Sequence, residues 1–590
     1  MGFNLPLLNR RRRIGGFSPR AILAGSTALV WLDPSDLTTL FQDAAGTTPV
    51  TAPGQPVGLA LDKSQGLVLG PELVTNGDFS NSSGWSVASG VAISGGFATF
   101  TAVASSSALF RSASVEVGKW YEITVVVTSF TSGVLRPRLF GGATNPRDIT
   151  AAGTYTFRDQ VTATNVNVGF ATSGLTTCIV DSFSVRELPG FHATASGTSR
   201  PTYGVVPSRG RVNLLTYSND FSLRAGVWAG VENAALTAGA ANSPLGALSA
   251  TSLVPNTTLT GVHRFRENTT RVGSSITYSI FAKANGYSRI GLRESNATGA
   301  SAVFNVSNGT LVATRNAGNL SVGATSIVAF SDGWYRVSVT FTDAASTLQH
   351  IGVYVVSDAY VSGEIETATF AGDGTSSILV AGAQAETGST ATPYQRVVSA
   401  FDVTEAGVPS LSYLSFDGVD DFMQTPTITP NADKVQVFAG VRKLSDAARG
   451  VVVENGTLGA ENADGSFNIE APSAALNNYL LRSRGTTPAL ASGTVSAPST
   501  NVVSGISDIS GDRATIRING TQVAQSTADQ GTGNFLAYPL FIGRRGGTSL
   551  PFNGQLFGLI VRFSTANLDA GLISQTERWV AQKTPGVTIA

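Results

Sequence analysis

The sequence contains few of the residues on which metal sites and redox chemistry depend. Its 590 residues include one cysteine, two methionines and three histidines. The single Cys178 cannot form an intrachain disulfide, and no spacing of cysteine or histidine predicts a zinc site. Charged residues make up 13% of the chain, with a net charge of zero, so nucleic acid is not a predicted partner. There is no run of 18 apolar residues, and therefore no predicted membrane insertion.

Motifs that carry catalysis are lacking as well. There is no Gly-x-Ser-x-Gly motif, and the GGTSL run after Arg545 lacks the lysine and helix of a phosphate-binding loop. Glycoside hydrolysis requires two carboxyl groups with different pKa values. The glutamates of the last 180 residues do not have the spacing of such a pair on one strand: Glu454, Glu461, Glu470 and Glu577. The sequence therefore predicts a protein that is not an enzyme, with Cys178 as a buried packing residue.

Glycine is abundant, at 65 residues, and short segments of alternating apolar residues are separated by Gly, Asn and Ser. This pattern predicts half-buried antiparallel strands and a strand content well above the average. Asn519-Gly520 lies between two alternating segments and predicts a hairpin with a type I′ turn. One amphipathic helix is predicted near the C-terminus and is expected to end at Pro585-Gly586. Its apolar face comprises Leu568, Leu572, Ile573, Trp579 and Val580.

Four blocks in the middle of the chain carry a resemblance to a known kind of protein. They are NLLTYSNDF (213–221) followed by Trp228, VFNVSNGTLVAT (303–314), DGWYRVSVTFT (332–342) and AGAQAETGSTATPYQRV (381–397). In this order they resemble a β-sandwich module common in virion proteins of tailed bacteriophages. Three further segments resemble phage structural proteins that contain a concanavalin A-like, or laminin G-like, lectin domain: 31–66, 191–203 and 413–423.

The resemblance implies an all-β protein of several antiparallel sandwiches, with jelly-roll modules and a concanavalin A-like sandwich. We expect the jelly rolls to be inserted into loops of the lectin-like domain, because loop closure entropy rises only slowly with loop length. The expected divisions are a basic arm (1–30), a lead-in segment of the lectin-like domain (31–66), a first jelly roll (67–190), a linker (191–210), a second jelly roll (211–400) and the lectin domain (411–590).

Sugar binding requires exposed aromatic faces and planar polar side chains, which selects candidate residues in each sandwich. The candidates are Trp85, Trp228, Tyr287, Arg289, Arg482, Arg484, Arg544 and Arg545. The alternatives are internal packing for the tryptophans and solvated loop charge for the arginines. The run SFDGVDD suggests a calcium site at Asp417, Asp420 and Asp421, with a capped turn as the alternative. No other cofactor is predicted.

The resemblance implies a non-enzymatic protein on the virion surface, as a tail fibre, tail-tip or head-spike component that attaches to host cell-surface polysaccharide. The basic residues Arg10, Arg11, Arg12 and Arg13 are expected to dock on other virion proteins, with a disordered basic tail as the alternative. Exposed sheet edges favour a homo-oligomer, and the resemblance suggests a trimer. Two alternatives stay open: a purely architectural capsid decoration or connector, and a polysaccharide depolymerase whose carboxylates converge from distant positions.

Overall fold

The computed structural model is 53% strand and 4% helix, as an all-β fold requires. It describes residues 17–142, 147–221, 230–257, 261–270, 274–295, 299–343, 348–457 and 463–590. The predicted docking arginines, Arg10 to Arg13, lie outside these residues. The chain divides into two units, of which unit 1 comprises Met1–Gly204 with Leu411–Ala590 and unit 2 comprises Val205–Ser410.

The strands of the first third of the chain are β1 (Ser26–Leu32), β2 (Leu40–Phe41), β3 (Leu59–Ala60), β4 (Ser86–Val87), β5 (Val91–Ser94), β6 (Phe97–Val103), β7 (Leu109–Ser112), β8 (Trp120–Leu139), β9 (Gly153–Gln160), β10 (Asn167–Glu187), β11 (Ala193–Thr194) and β12 (Thr202–Pro207). The middle of the chain contains β13 (Val231–Glu232), β14 (Ala234–Ser243), β15 (Gly246–Pro255), β16 (His263–Thr270), β17 (Ser275–Asn285), β18 (Arg289–Ser295), β19 (Ala300–Asn305), β20 (Thr310–Arg315), β21 (Ser321–Ala329), β22 (Tyr335–Thr342), β23 (Leu348–Val356), β24 (Ser377–Thr387), β25 (Gln395–Ser399) and β26 (Asp402–Glu405).

The last part contains β27 (Ser410–Asp417), β28 (Met423–Gln424), β29 (Lys434–Lys443), β30 (Val451–Asn455), β31 (Ser466–Glu470), β32 (Asn478–Arg484), β33 (Pro488–Thr494), β34 (Ser499–Asp508), β35 (Arg513–Ile518), β36 (Thr521–Ser526), β37 (Leu540–Ile542), β38 (Asn553–Ser564) and the helix α1 (Ala570–Ala581). Single turns of 3-10 helix occur at Pro19–Ile22, Leu37–Thr39 and Ser331–Gly333.

In unit 1, a two-sheet sandwich is assembled from three separate parts of the sequence; we call it the frame. One sheet has the order β27-β38-β29-β34-β35-β36, with β1 also paired to β38. The other has the order β2-β3-β11-β28-β37-β30-β31-β32-β33. The sheets pack face to face, and a Cβ on Gly505 would lie only 2.7 Å from Ile469 of the opposite sheet. Residues 191–210, expected as a linker, contain β11 and β12.

Asp62 holds the separated parts of the frame together. Its buried carboxylate accepts hydrogen bonds from the backbone N–H groups of Trp31 (2.8 Å), Ser64 (2.9 Å) and Phe191 (2.9 Å). His192 lies beside it, with Nδ1 accepting from the Asp62 N–H, and burial lowers the pKa of this imidazole to about 3. The chain therefore leaves and re-enters the frame at a buried polar junction.

Residues 67–190 form a module within unit 1, inserted between β3 and β11. Its sheet has the order β4-β7-β10-β6-β5, with β8 paired to β10 and β9 paired to β8. The core is apolar and includes Cys178, which is 1% exposed and free of disulfides. The prediction that Cys178 is a buried packing residue is therefore confirmed.

Unit 2 is a sandwich of two six-stranded sheets. Their orders are β13-β16-β23-β18-β19-β20 and β14-β15-β24-β17-β22-β21. Inward-facing residues of both sheets, such as Leu292 and Val353 on one and Tyr278 and Val337 on the other, form one buried cluster. Burial differs between these strands: most residues of the central strands β17 and β24 are buried, whereas residues of the edge strands β14, β20 and β21 are half-buried or exposed.

The locally encoded features are as predicted. Asn519 and Gly520 both have positive φ (49° and 81°), as a type I′ turn between β35 and β36 requires. The helix α1 packs its apolar residues, with Trp579 and Val580, on the outer face of the first frame sheet. No helix among the described residues is long and apolar enough to cross a membrane.

Candidate functional site

A groove in unit 1 lies between the frame and the inserted module, and we call it the Tyr155 groove. Its volume is about 560 Å³. One side is the frame loop 43–48, another is β9 of the module, and the third is the segment 195–200. The groove is thus built by parts of the sequence that are far from one another.

Two aromatic rings on β9 form the apolar side of the groove. Tyr155 and Phe157 are two residues apart, so both side chains lie on the same face of the strand. Their rings are stacked with an interplanar angle of 5° and a centroid distance of 6.3 Å. Phe157 is buried, while Tyr155 is half-buried and its hydroxyl donates to the Ala151 carbonyl (2.9 Å). An immobilised ring with one accessible face suits contact with the C–H face of a sugar.

Arginines border the same groove. Arg147 is buried and forms an ion pair with Asp159 (2.8 Å). Arg200 donates from Nη1 to the Gln42 carbonyl (2.7 Å), whereas its buried Nε has no hydrogen-bond partner in the described part of the chain. Arg158 lies over the Phe41 ring at 4.6 Å and donates to the Gly46 carbonyl (2.9 Å), which fastens the frame loop to β9. The groove is therefore preorganised by side chains from both parts of unit 1.

The carboxylates of this groove are already engaged. Asp43 accepts hydrogen bonds from its own loop, including the Thr47 and Thr48 N–H groups at 3.1 and 2.7 Å. Burial raises the pKa of Asp43, but these hydrogen bonds outweigh it and the net pKa lies below the ordinary value. Asp148 forms a bidentate pair with Arg136 (2.6 and 3.1 Å). Neither group is placed as the acid of a hydrolytic pair.

The position of Trp85 corrects one sequence-based candidate. Its indole is 8% exposed and packs between Phe79 and Phe183, with centroid distances of 5.3 and 6.2 Å. The ring nitrogen donates to the Asn76 carbonyl (3.1 Å). Trp85 therefore closes the core of the inserted module, which was the alternative reading, and presents no face to a sugar.

The unit 2 candidates lie near the ends of β17 and β18. Tyr287 is half-buried, contacts Phe370 edge-to-face at 5.5 Å, and its hydroxyl accepts from the Asp373 N–H (3.3 Å). The pKa of Tyr287 is raised, mainly by burial. Arg289 is half-buried, with Nε and Nη1 buried and lacking hydrogen-bond partners. Trp228 lies outside the described residues, so all three stay predictions.

The four candidate arginines in the last part of the chain have different environments. Arg545 is 3% exposed, and its Nε lies 2.8 Å from Glu454, so the prediction of a sugar-contacting surface residue is wrong. Arg482 lies 3.7 Å from Glu470 and is only partly exposed, and Arg484 pairs with exposed Asp464 (3.0 Å). Arg544 is half-buried and donates to the carbonyls of Asp420 (3.4 Å) and Thr548 (3.0 Å).

Two glutamates on successive strands lie close to Arg545. Glu454 and Glu470 lie on the paired strands β30 and β31, and Arg545 bridges them, with its Nη2 at 3.7 Å from Glu470. Glu470 also pairs with Arg449 (2.5 Å). Both carboxylates are at most 3% exposed, and burial raises the pKa of Glu454. Neither is accessible to a polysaccharide, so the cluster is a buried ionic network on the sheet.

The predicted calcium residues do lie together. One carboxylate oxygen of each of Asp417, Asp420 and Asp421 is within 4.8 Å of the other two. Each also accepts a hydrogen bond: Asp417 from the Val419 N–H (2.7 Å), Asp420 from the Ser199 hydroxyl (2.7 Å) and Asp421 from the Asp417 N–H (3.1 Å). Burial, and then the charge of Asp417, raises the pKa of Asp421 to about 7. The geometry matches the capped turn, and calcium stays a prediction.

Sequence reasoning did not find the Tyr155 groove. The one local signal was the pair of aromatic residues at alternate positions of a strand, in GTYTFRDQ (153–160). Such a pair predicts a shared face but not whether that face is buried. Arg200 and the loop 43–48 become candidate site residues only in the folded chain, where the frame places them beside β9.

Comparisons with known proteins find local structural similarity. No protein-family model matches the chain, and no curated protein matches its sequence. A CBM40 domain of the Ruminococcus gnavus IT-sialidase, solved with α2,3-sialyllactose, is similar over 26% of this chain and 96% of its own, with 17% identity and a TM-score of 0.21. The receptor-binding domain of botulinum neurotoxin type G is similar over 28% of this chain and 42% of its own, with 8% identity and a TM-score of 0.22. A heptameric SAP-like pentraxin from Limulus polyphemus is similar over 28% of this chain and 80% of its own, with 12% identity and a TM-score of 0.23.

Proposed function

We propose that the protein is a non-enzymatic surface protein of a tailed-bacteriophage particle and that it binds host cell-surface polysaccharide through its β-sandwiches. The virion assignment is supported by the sequence blocks at 213–221, 303–314, 332–342 and 381–397. The glycan-binding part is supported by the Tyr155 groove. On the particle, the protein is a tail fibre, tail-tip or head-spike component, oligomeric and docked by its basic N-terminal arm.

The observation that carries the glycan proposal is an accessible, immobilised aromatic ring in a groove bordered by hydroxyl and guanidinium groups. Tyr155 is stacked on Phe157 and tied to Ala151, so little side-chain entropy is lost when a sugar stacks on it. The hydroxyls of Thr47 and Ser196 line the same groove. These groups match the alternating apolar and hydroxyl-bearing faces of a pyranose.

Binding without hydrolysis is supported by the state of the carboxylates. Asp43 and Asp148 in the groove are hydrogen-bonded or ion-paired, and the converging pair Glu454 and Glu470 is buried beneath Arg545. General acid catalysis requires a carboxyl group within hydrogen-bond reach of the glycosidic oxygen. We therefore expect no reducing ends to be released when host polysaccharide is incubated with the full chain.

The test of glycan binding uses the full chain on an array of capsular polysaccharides and lipopolysaccharides. Replacing Tyr155→Ala should weaken binding about tenfold, because the stacked ring is lost. Phe97→Ala is the matched control, since Phe97 is a 39% exposed aromatic residue of the same module that does not line the groove. Silence of the wild-type chain on the array, or equal loss of binding in both variants, contradicts the proposal.

The virion assignment has a separate test. Mass spectrometry of purified phage particles should detect the chain, and antibody labelling should place it on the particle surface. Absence of the chain from particles contradicts this part, whatever the array shows.

A further inference from the structure

The outward face of one unit 2 sheet carries a row of hydroxyl groups. The pairing of β17 with β22 places Thr277 opposite Thr340 and Ser279 opposite Ser338. The pairing of β22 with β21 places Ser326 opposite Ser338, so Ser279, Ser338 and Ser326 form one row across three strands. Because side chains alternate along a strand, these residues share the face opposite the apolar core.

A guanidinium group lies beside these rows. Arg336 is opposite Phe281 on β17 and Val328 on β21, one row along from the serines. Its Nη2 donates to the Ser279 hydroxyl (2.9 Å), and the guanidinium lies over the Phe281 ring at 5.6 Å. The Nε atom is buried and has no hydrogen-bond partner among the described residues. A charged group that keeps unused hydrogen-bonding capacity favours an anionic ligand.

The chain after β24 forms a wall over this face. Glu386 accepts from the Thr392 N–H (2.9 Å) and from the Gln384 amide (2.8 Å), which fixes the segment that follows β24. The hydroxyl of Thr340 donates to the Ser389 carbonyl (3.2 Å). The cavity left between this wall and β21 has a volume of about 250 Å³ and is lined by Arg336 and by hydroxyls of Ser338, Thr340, Ser389 and Thr390. We call it the Arg336 groove.

The chemistry of this groove is specific for a small, hydroxyl-rich anion. Planar guanidinium groups pair with planar carboxylates, and the surrounding hydroxyls both donate and accept, as a sugar ring requires. The one nearby carboxylate that acts on Arg336, Glu386, has both of its oxygens engaged with Gln384 and Thr392. Among the described residues, it therefore forms no ion pair with Arg336.

We propose that the Arg336 groove binds the carboxylate of an acidic sugar residue, such as a uronic acid, with Arg336 as the anion-binding residue. The proposal rests on the glycan-binding function, but it concerns a different unit and a different ligand group from the Tyr155 groove. In this proposal, unit 2 binds the carboxylate of an acidic sugar, and unit 1 binds a sugar ring by stacking on Tyr155.

The test compares two probes that differ only at one carbon: methyl β-glucuronide, with a carboxylate, and methyl β-glucoside, with a hydroxymethyl group. Ligand-observed NMR of the full chain should show binding of the glucuronide and not of the glucoside. Acetate is the third probe and reports a bare anion site. Arg336→Gln should weaken glucuronide binding by about tenfold or more, because a hydrogen-bonded charge pair is lost.

Two further variants make the result decisive. Lys283→Gln removes one positive charge from the same face of β17 outside the groove, so glucuronide binding should be retained. Ser326→Trp fills the groove from an exposed position of β21, so binding should be lost even if Arg336→Gln fails to fold. The proposal is overturned if glucoside binds as well as glucuronide, if acetate binds as well as glucuronide, or if glucuronide binding survives Ser326→Trp. The proposal is also overturned if Tyr155→Ala loses glucuronide binding while Arg336→Gln retains it. That result would leave the proposal for the Tyr155 groove standing.

Discussion

Glu267 makes the stability of unit 2 depend on pH over an unusual range. It lies on β16, and alternation places its side chain on the same face as Phe265, inside the sandwich. The carboxyl group is 3% exposed; Oε1 accepts one long hydrogen bond from the Thr216 N–H (3.4 Å), and Oε2 has no partner among the residues that the structure describes. Tyr278 faces it from the opposite sheet, and Arg211 is the cation that acts on it.

Burial raises the pKa of Glu267 from 4.5 to about 8, against the smaller opposing effects of Thr216 and Arg211. Between these two pH values the folded state keeps a proton that the unfolded state has lost. Stability must therefore fall as pH rises from 4.5 to about 8 and stay at the lower level above it. At 1.36 kcal/mol for each pKa unit, the loss is about 5 kcal/mol at most.

Replacing Glu267→Gln removes the titration and keeps the size and shape of the side chain. The variant should match the wild type near pH 4.5 and exceed its free energy of unfolding above pH 8 by up to about 5 kcal/mol. The assay is scanning calorimetry of the full chain across this pH range, with the unit 2 transition identified by the destabilising core substitution Val337→Ala. The matched control is Glu232→Gln, which removes the charge of a 48% exposed carboxylate and should keep the wild-type pH dependence.

An unchanged pH dependence in Glu267→Gln would refute this reasoning. It would mean that the carboxyl group is solvated or paired in the folded protein. Loss of stability in the variant at every pH would point instead to a role of the carboxylate charge.

Three further predictions concern unit 1. Burial raises the pKa of the Cys178 thiol to about 12, so maleimide should label it only after the inserted module unfolds, and rapid labelling of the native chain contradicts its burial. Arg562 is 2% exposed and donates to the Ile22 carbonyl (2.9 Å) among other buried acceptors; Arg562→Met should cost about 3 kcal/mol or more and release the backbone around Arg20, whose side chain is already exposed, for faster cleavage by trypsin, whereas an unchanged digestion pattern argues against this anchor. Arg545→Met should cost about 3–5 kcal/mol by leaving carboxylates buried without a cation, and adding Glu454→Gln should recover part of it; no recovery contradicts the ionic network.

Most of the secondary structure and some of the local detail could be predicted from the sequence. The Asn519-Gly520 turn needs positive φ at both residues, and that requirement is met by these two residue types wherever the hairpin lies. The helix α1 is encoded by apolar spacing, with Asp569 as its N-cap accepting from the Leu572 N–H. The burial of Cys178 follows from the apolar run around it. Each of these features is decided by neighbours in the chain.

The candidate sites could be predicted less well, because exposure depends on what packs against a residue. Trp85 and Arg545 have residue types suited to sugar binding, but Phe183 and Glu454, from distant strands, bury them. The aromatic pair at Tyr155 and Phe157 was a local signal, but it could not show that Tyr155 stays only half-buried. That depends on the frame loop 43–48 and the segment 195–200, which line the groove beside it.

The order of the residues alone determined that this chain forms antiparallel sheets with one C-terminal helix, since alternation, turn residues and helix spacing act over a few positions. Tertiary structure alone decided which polar and aromatic groups meet. The junction at Asp62 and both grooves arise from segments joined across long stretches of sequence. These arrangements are stabilised by burial and by hydrogen bonds between segments that are distant in sequence. Neither contribution is present until the sheets have packed together.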